Sequence, residues 1–354
     1  LSLVISPWNY PVLLSPGPVA AAMSAGNCVI LKPSELSPAT SAVVSEIVQA
    51  ALPKQYVTVV QGDADTASAL LEQKFDKIFF TGSTKVGRLV LEAAARNLTP
   101  ATLELGGKSP CIVSQSADLD VAAKRIVWGK LLNAGQTCVA PDYVLAQASV
   151  KDRLVARLIE TIGTFYGPDI RSNPDYPRIV NQKNHSRLAS YLQAEKVAFG
   201  GDHDQQDLYF SPTILTGVTW EDPVMREEIF GPILPILDYE TLDEAIAQVN
   251  RHDKPLALYL FSRDKKEAEQ VWSRCSFGGG CVNDTLSHLV NQRLPFGGVG
   301  NSGMGNYHGK WGFDAFSHYK SRVRRTVFPD FPLRYPPYGQ KGMLKKILTA
   351  LFVR

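Results

Sequence analysis

The chain has 354 residues, 45% of them hydrophobic, which is enough to bury a substantial core and to build roughly two domains. Its 37 basic and 34 acidic residues leave a net charge of +3, with no basic stripe before the last few dozen residues, so nucleic acid is not an expected partner. Five cysteines (Cys28, Cys111, Cys138, Cys275 and Cys281), odd in number and without a C-x-x-C pair, argue against a disulfide framework and a thiolate zinc site, and for a reducing, cytoplasmic-type compartment.

Residue 1 is leucine, and Leu1–Ser6 reads as an apolar strand already under way, so the chain is expected to begin inside a longer protein. No signal peptide is visible. Leu3–Ile5 runs into the proline-bracketed turn Pro7–Pro11, and Gly17–Met23 reads as a short helix. Cys28–Leu31 is a buried strand that stops at Lys32-Pro33-Ser34-Glu35. Apolar residues at helical spacing predict a helix over Pro38–Leu52, followed by a strand at Val57–Val60. Further helices are expected at Thr66–Gln73 and Val86–Asn97, and strands at Lys77–Phe80 and Thr102–Leu105. From Lys108 the alternation starts again with Cys111–Val113, a helix Leu119–Leu132 that breaks at Asn133-Ala134-Gly135, the strand Tyr143–Ala146 and a helix Lys151–Phe165. Strand–helix–strand repetition predicts an α/β fold with parallel sheets, divided near Lys108, and a cleft between two such units is where ligands sit.

Several positions in this pattern can carry chemistry. Cys138 falls just past the helix break, on a loop where a thiol meets solvent and backbone N–H groups; the alternative is a small buried hydrophobe. Gly82-Ser83-Thr84-Lys85-Val86-Gly87 joins a strand to a helix start, where free N–H groups suit a pyrophosphate, although the same residues also make an ordinary tight turn. Lys32 and Glu35 at a strand end can hold an adenosine ribose or simply form a solvated turn. Glu104, between apolar residues and before two glycines, is either a base raised towards neutrality by burial or half of an internal ion pair. Asn9 offers an amide to an oxyanion, or serves its turn. Glu228 can meet a second ribose while Phe230 closes an apolar wall; otherwise Glu228 ends a surface helix. The glycine-dense run 295–305 reads as too flexible for the core and suits either a substrate-side loop or an irregular connector. The six histidines show no metal-binding spacing, and no metal site is expected.

Taken together and in order, PWNYP, KPSE, FTGSTKVG, LELGGKSP, GQTCVAPDY, EEIFGP and PFGGVGNSGMG resemble the aldehyde dehydrogenase superfamily over about Leu3–Pro337, and GQTCVAPDY, GNSGMG-x-YHGK and FSH resemble its class 3 branch, which includes fatty aldehyde dehydrogenases. The resemblance implies two Rossmann-like parallel-sheet domains, a cofactor domain at 1–107 and a catalytic domain at 108–310, then a segment 311–354 with an oligomerisation strand and an amphipathic tail. It implies Cys138 as nucleophile, Glu104 as general base and Asn9 as oxyanion amide. For the cofactor it implies Lys32 and Glu35 at the adenosine ribose, Gly82, Ser83, Thr84, Lys85, Val86 and Gly87 at the pyrophosphate, Glu228 and Phe230 at the nicotinamide ribose, with Trp8, Leu105 and Gly106 beside them. The implied reaction is oxidation of medium- or long-chain or other apolar aldehydes with NAD, NADP being tolerated, by a homodimer.

Alternatives are a CoA-acylating dehydrogenase, which has no need of Glu104, and a Cys138-dependent hydrolase without dinucleotide. The terminal stretch 343–353 sets Leu344, Ile347, Leu348 and Leu351 on one helical face beside two lysines. At that length it is too short to span a bilayer and suits either a peripheral membrane contact or docking on the protein itself.

Overall fold

The computed structural model of the chain describes residues 1–330, 334–337 and 342–352, apart from the side chains of residues 343–345, 348 and 352. Two compact units are present, Leu1–Ser317 and His318–Arg354.

In the first unit the chain alternates β1 (Ser2–Ile5), α1 (Pro11–Leu14), α2 (Pro16–Ser24), β2 (Val29–Lys32), α3 (Pro38–Ala51), β3 (Val57–Val59), α4 (Ala64–Leu71), β4 (Lys77–Thr81), α5 (Thr84–Arg96) and β5 (Ala101–Glu104). β1 and β4 are buried in unbroken runs, with Leu3, Val4 and Phe79 fully inaccessible, because helices cover both faces of a parallel sheet. These strands pair in parallel in the order β5-β4-β1-β2-β3. β2 and β3 lie on one side of β1 and β4 on the other, so the order reverses between β1 and β4 and their carboxyl ends flank a crevice.

The chain leaves that sheet at Glu104 and enters a second one at Pro110. The second is built from β6 (Pro110–Val113), α6 (Leu119–Leu131), β7 (Tyr143–Gln147), α7 (Lys151–Tyr166), α8 (Gln182–Ala189), β8 (Val197–Phe199), the hairpin β9 (His203–Asp204) and β10 (Tyr209–Phe210), β11 (Thr213–Leu215), β12 (Ile233–Tyr239), α9 (Leu242–Asn250), β13 (Ala257–Phe261), α10 (Lys265–Arg274) and β14 (Gly279–Val282). Its order is β14-β13-β6-β7-β12-β11-β8, parallel except for β8 on β11. The short α11 (Ser287–Val290) leads to β15 (Gly303–Met304) and α12 (Gly309–Ala315).

Three local expectations need correction. α5 starts at Thr84 rather than Val86, because the Ser83 side chain caps it by accepting from the Val86 N–H. The 295–305 run is not a flexible connector: β15 pairs antiparallel with β5, Phe296 is buried, and Ser302 is 1% exposed. Its glycines serve close approach, since a Cβ on Gly303 (φ +152°) would stand 2.5 Å from the Leu103 carbonyl. Glu228 ends no surface helix; it lies in an irregular stretch after the single turn Pro223–Met225.

In the second unit, residues 318–330 are all exposed and carry neither helix nor strand, while α13 spans Gly342–Phe352 with Ile347 and Leu351 exposed. The side chains of Leu344 and Leu348, expected on that face, lie outside the described residues. Among the described residues no helix is long and apolar enough to cross a membrane.

Candidate active site

Cys138 owes its position to a sharp reversal at the end of α6. Asn133, Ala134 and Gly135 all take positive φ (53°, 51° and 76°), a run the surrounding fold must hold in place. Gly135 is required there, because a Cβ would stand 2.1 Å from the Gly231 carbonyl oxygen. The buried Gln136 then staples the loop: its amide donates to the Asn133 and Arg178 carbonyls and its oxygen accepts from the Val180 N–H. Tyr259 donates to the Val139 carbonyl at 2.6 Å, directly behind the cysteine, and the Tyr10 and Thr137 hydroxyls share a 2.6 Å hydrogen bond in front of it. The half-buried Cys138 is thus fixed on a rigid turn.

One cleft of about 390 Å³ opens onto that turn at the carboxyl ends of β1 and β4. It brings together Trp8 and Asn9 after β1, Gly82, Ser83, Thr84 and Lys85 after β4, Leu105 after β5, and Cys138, Glu228 and Phe230 from the stretch that builds the second sheet. Lys32, Glu35, Glu104, Val86, Gly87 and Gly106 lie outside its lining. Two of these act on the lining from behind or beside it. Gly87 lets α5 press on Leu105, and Gly106 leaves room for the Glu228 carboxylate, which would stand 2.3 Å from a Cβ there. Lys32, 3% exposed, donates to Glu35 at 2.7 Å. Burial pushes the Glu35 carboxyl up, but the hydrogen bond and charge of Lys32 outweigh it and hold the group below its ordinary value.

The cleft fits a dinucleotide. Small residues at Gly82 and Ser83 lead into the N-terminus of α5, an anion-binding end, and Phe230 meets Trp8 edge to face at 5.5 Å, giving an apolar wall beside a carboxylate. Phe230 is held at φ +47°, an uncommon conformation for so large a residue. The Asn9 amide donates to the Gln136 carbonyl at 3.1 Å, which uses one N–H and leaves the other for a ligand oxygen.

Protonation in the cleft is dominated by burial. It raises the Cys138 thiol, with the Glu228 and Glu104 charges adding to the effect and the Cys138 and Val139 N–H groups opposing it. Glu228 is pushed up to about 8 by burial and by the Asp142 charge, against a hydrogen bond from the Gly107 N–H. Glu104 is 2% exposed, its two oxygens have no hydrogen-bond partner among the described residues, and burial raises it well above 4.5. Lys130, equally buried, has an unpartnered ammonium lowered to about 8, again by burial first. Among the described residues no group of three His, Cys, Asp or Glu could hold a metal ion.

Several residues of the site were not visible in the sequence. Leu14, Asn184, Arg187 and Glu227 also line the cleft. Arg187 donates to the Glu228 and Ile229 carbonyls, but it sits in an unremarkable polar helix and nothing in its neighbourhood marks it. The Tyr10–Thr137 contact joins residues 127 positions apart.

The model of the aldehyde dehydrogenase family matches residues 1–322. The 4,4'-diaponeurosporen-aldehyde dehydrogenase of Staphylococcus aureus (strain NCTC 8325 / PS 47) is 49% identical over 347 residues, covering 98% of this chain and 75% of that protein. Aldehyde dehydrogenase family 3 member A2 of Mus musculus is 49% identical over 340 residues, 96% of this chain and 70% of that protein. A solved structure described as the substrate-bound state of Staphylococcus aureus AldH superposes with a TM-score of 0.95 at 48% identity, covering 99% of this chain and 77% of that one. More distant solved relatives, at 30–31% identity, are complexes with NAD+.

Proposed function

The chain belongs to the aldehyde dehydrogenase family, and on that premise we propose that its substrates are medium- or long-chain or other apolar aldehydes and that Cys138, Glu104 and Asn9 carry the reaction. The activity itself, NAD-dependent oxidation of an aldehyde to its acid, is that of the family. The observation that carries the assignment of Cys138 and Asn9 is the shared cleft, where they and the pair Glu228 and Phe230 face one space at the crevice between β1 and β4, while Glu104 is assigned as the base on the resemblance of its motif alone. Apolar substrates suit Val12, Leu13, Trp128 and Leu132, all exposed on the segments that flank Asn9 and Cys138.

In this reading the Cys138 thiol gives up its proton to solvent water, its sulfur adds to the aldehyde carbon, and the oxygen that gains the electron pair is held by the free Asn9 N–H and the Cys138 N–H. Glu228 and Phe230, with the α5 N-terminus, would hold the cofactor, which when bound would supply an acceptor for the hydride lost from the aldehyde carbon and a positive charge that favours the Cys138 thiolate. The thioester on Cys138 is then hydrolysed by water whose proton goes to Glu104 and from there to the departing Cys138 sulfur, restoring the thiol and releasing the acid. For that step the Glu104 carboxyl turns from its buried, unpartnered rotamer towards the cleft and ionises there.

An ionised Glu35 repels a 2′-phosphate and favours NAD, while the neighbouring Lys32 ammonium leaves NADP tolerated. The assembly proposed is a homodimer in a cytoplasmic-type compartment. The segment 311–354 carries the oligomerisation strand, and its helix α13 makes a peripheral membrane contact. Initial rates of reduced-nicotinamide formation with decanal test the enzymatic reading: NAD is expected to exceed NADP, with the gap narrowing in Glu35→Gln, and a folded protein that turns over neither would overturn it. Sedimentation tests the dimer, and liposome binding that survives removal of 342–354 would remove the membrane contact.

A further inference from the structure

Phe230 holds a positive φ and Glu228 a buried carboxyl, so something must keep residues 224–230 from relaxing. The contacts responsible converge on Asp142, four residues after Cys138. One of its oxygens accepts from the N–H of Ile229, the residue between Glu228 and Phe230, at 2.9 Å. The other accepts from Lys108 at 2.5 Å, and the same ammonium donates to the Val224 and Glu227 carbonyls at 3.0 Å each. All three ammonium protons are therefore used. Asp142 is 3% exposed and Ile229 fully buried, so water does not replace these bonds at low cost. The Asp142 N–H donates to the Ser109 carbonyl at 2.8 Å, tying the same residue to the turn that carries Lys108.

Three stretches far apart in sequence meet at this pair: the turn after Glu104 through Lys108, the loop after Cys138 through Asp142, and the Glu228–Phe230 stretch through its backbone. We propose that Asp142, held by Lys108, is a positioning residue for the cofactor clamp: it fixes the Ile229 peptide and so aims Glu228 and Phe230 into the cleft in register with Cys138. This rests on the reading of Glu228 and Phe230 as the cofactor clamp.

The test compares wild type with Asp142→Ala, Asp142→Asn and Lys108→Met, using calorimetric titration with NAD, KM and kcat for NAD and decanal, and the rate of Cys138 alkylation by iodoacetamide. In Asp142→Ala the Kd and KM for NAD are expected to rise at least about tenfold, the size of one lost charge-assisted bond. KM for decanal and the alkylation rate should stay within about twofold, as removing one backbone anchor leaves the Cys138 turn intact. Asp142→Asn keeps an oxygen for the Ile229 N–H but loses the charge facing Lys108, and should fall between. A merely structural pair would lower thermal stability without changing NAD affinity in the folded protein, and that result overturns the proposal. If Asp142→Ala does not fold, unchanged NAD affinity in folded Asp142→Asn and Lys108→Met does the same. Wild type that fails to bind NAD would instead refute the clamp reading on which the proposal rests.

Discussion

Adding one methyl group at Gly106 tests whether Glu228 holds the cofactor from where it stands. A Cβ there would lie 2.3 and 2.6 Å from the two Glu228 oxygens and 2.7 Å from the carboxyl carbon, roughly 1 Å inside van der Waals contact. Gly106 is not among the glycines with positive φ, so alanine fits the backbone and the conflict falls on the Glu228 side chain. The carboxylate must swing away, giving up the Gly107 N–H and its place in the cleft. Losing a hydrogen bond to a charged group is worth about 1.5–3 kcal/mol, which corresponds to a rise of about 10- to 150-fold in the Kd for NAD. The effect should be read by calorimetric titration at a pH above the Glu228 value of about 8, where the group is ionised. Gly106→Ala is expected to keep its thermal midpoint within a few degrees of wild type, because no backbone atom is displaced. Undiminished NAD affinity in this variant would mean that Glu228 does not contact the cofactor, or contacts it from another rotamer.

Glu104 should leave a mark on stability as well as on turnover. Its folded carboxyl titrates well above the ordinary 4.5, so above that pH the folded chain binds more protons than the unfolded one. Stability from this group is complete below about 4.5 and is lost as pH rises towards the folded value, by up to about 1.4 kcal/mol per pH unit. Urea denaturation across pH should therefore show Glu104→Gln gaining on wild type as pH climbs; curves that stay parallel would mean the buried carboxyl is ionised. Gly135→Ala places a Cβ 2.1 Å from the Gly231 carbonyl at φ +76° and should cost about 2–4 kcal/mol, seen as a lower urea midpoint. An unchanged midpoint would show that the turn before Cys138 is free to move.

Much of this was legible because apolar runs and glycine breaks dictate backbone directly. The Leu3–Ile5, Lys77–Phe80 and Cys111–Val113 strands and the α6 helix with its break at Asn133 are found within a residue or so of the expected bounds, since such buried runs have no other low-energy arrangement. The turn at Ser83 was misjudged because a serine cap, unlike a change in apolar spacing, leaves the hydrophobic pattern unaltered. The 295–305 run was misjudged because glycine signals flexibility and close packing with the same letter, and only the neighbouring Leu103 carbonyl distinguishes them. Arg187, Asp142 and Lys108 act on backbone carbonyls and N–H groups of distant segments, and such partners have no sequence signature. The buried, unpartnered state of Glu104 was equally out of reach, since its flanking apolar residues are compatible with an ion pair or with none.

The covalent role of Cys138 is tested most directly by intact-mass analysis of Glu104→Gln mixed with decanal and NAD. Removing the base leaves the thioester without its route to hydrolysis. The expected result is a protein heavier by one decanoyl group, the label mapping to Cys138 and absent from the Cys138→Ser, Glu104→Gln double variant. Acid production at the wild-type rate with no acylated protein would contradict the assignment of both residues.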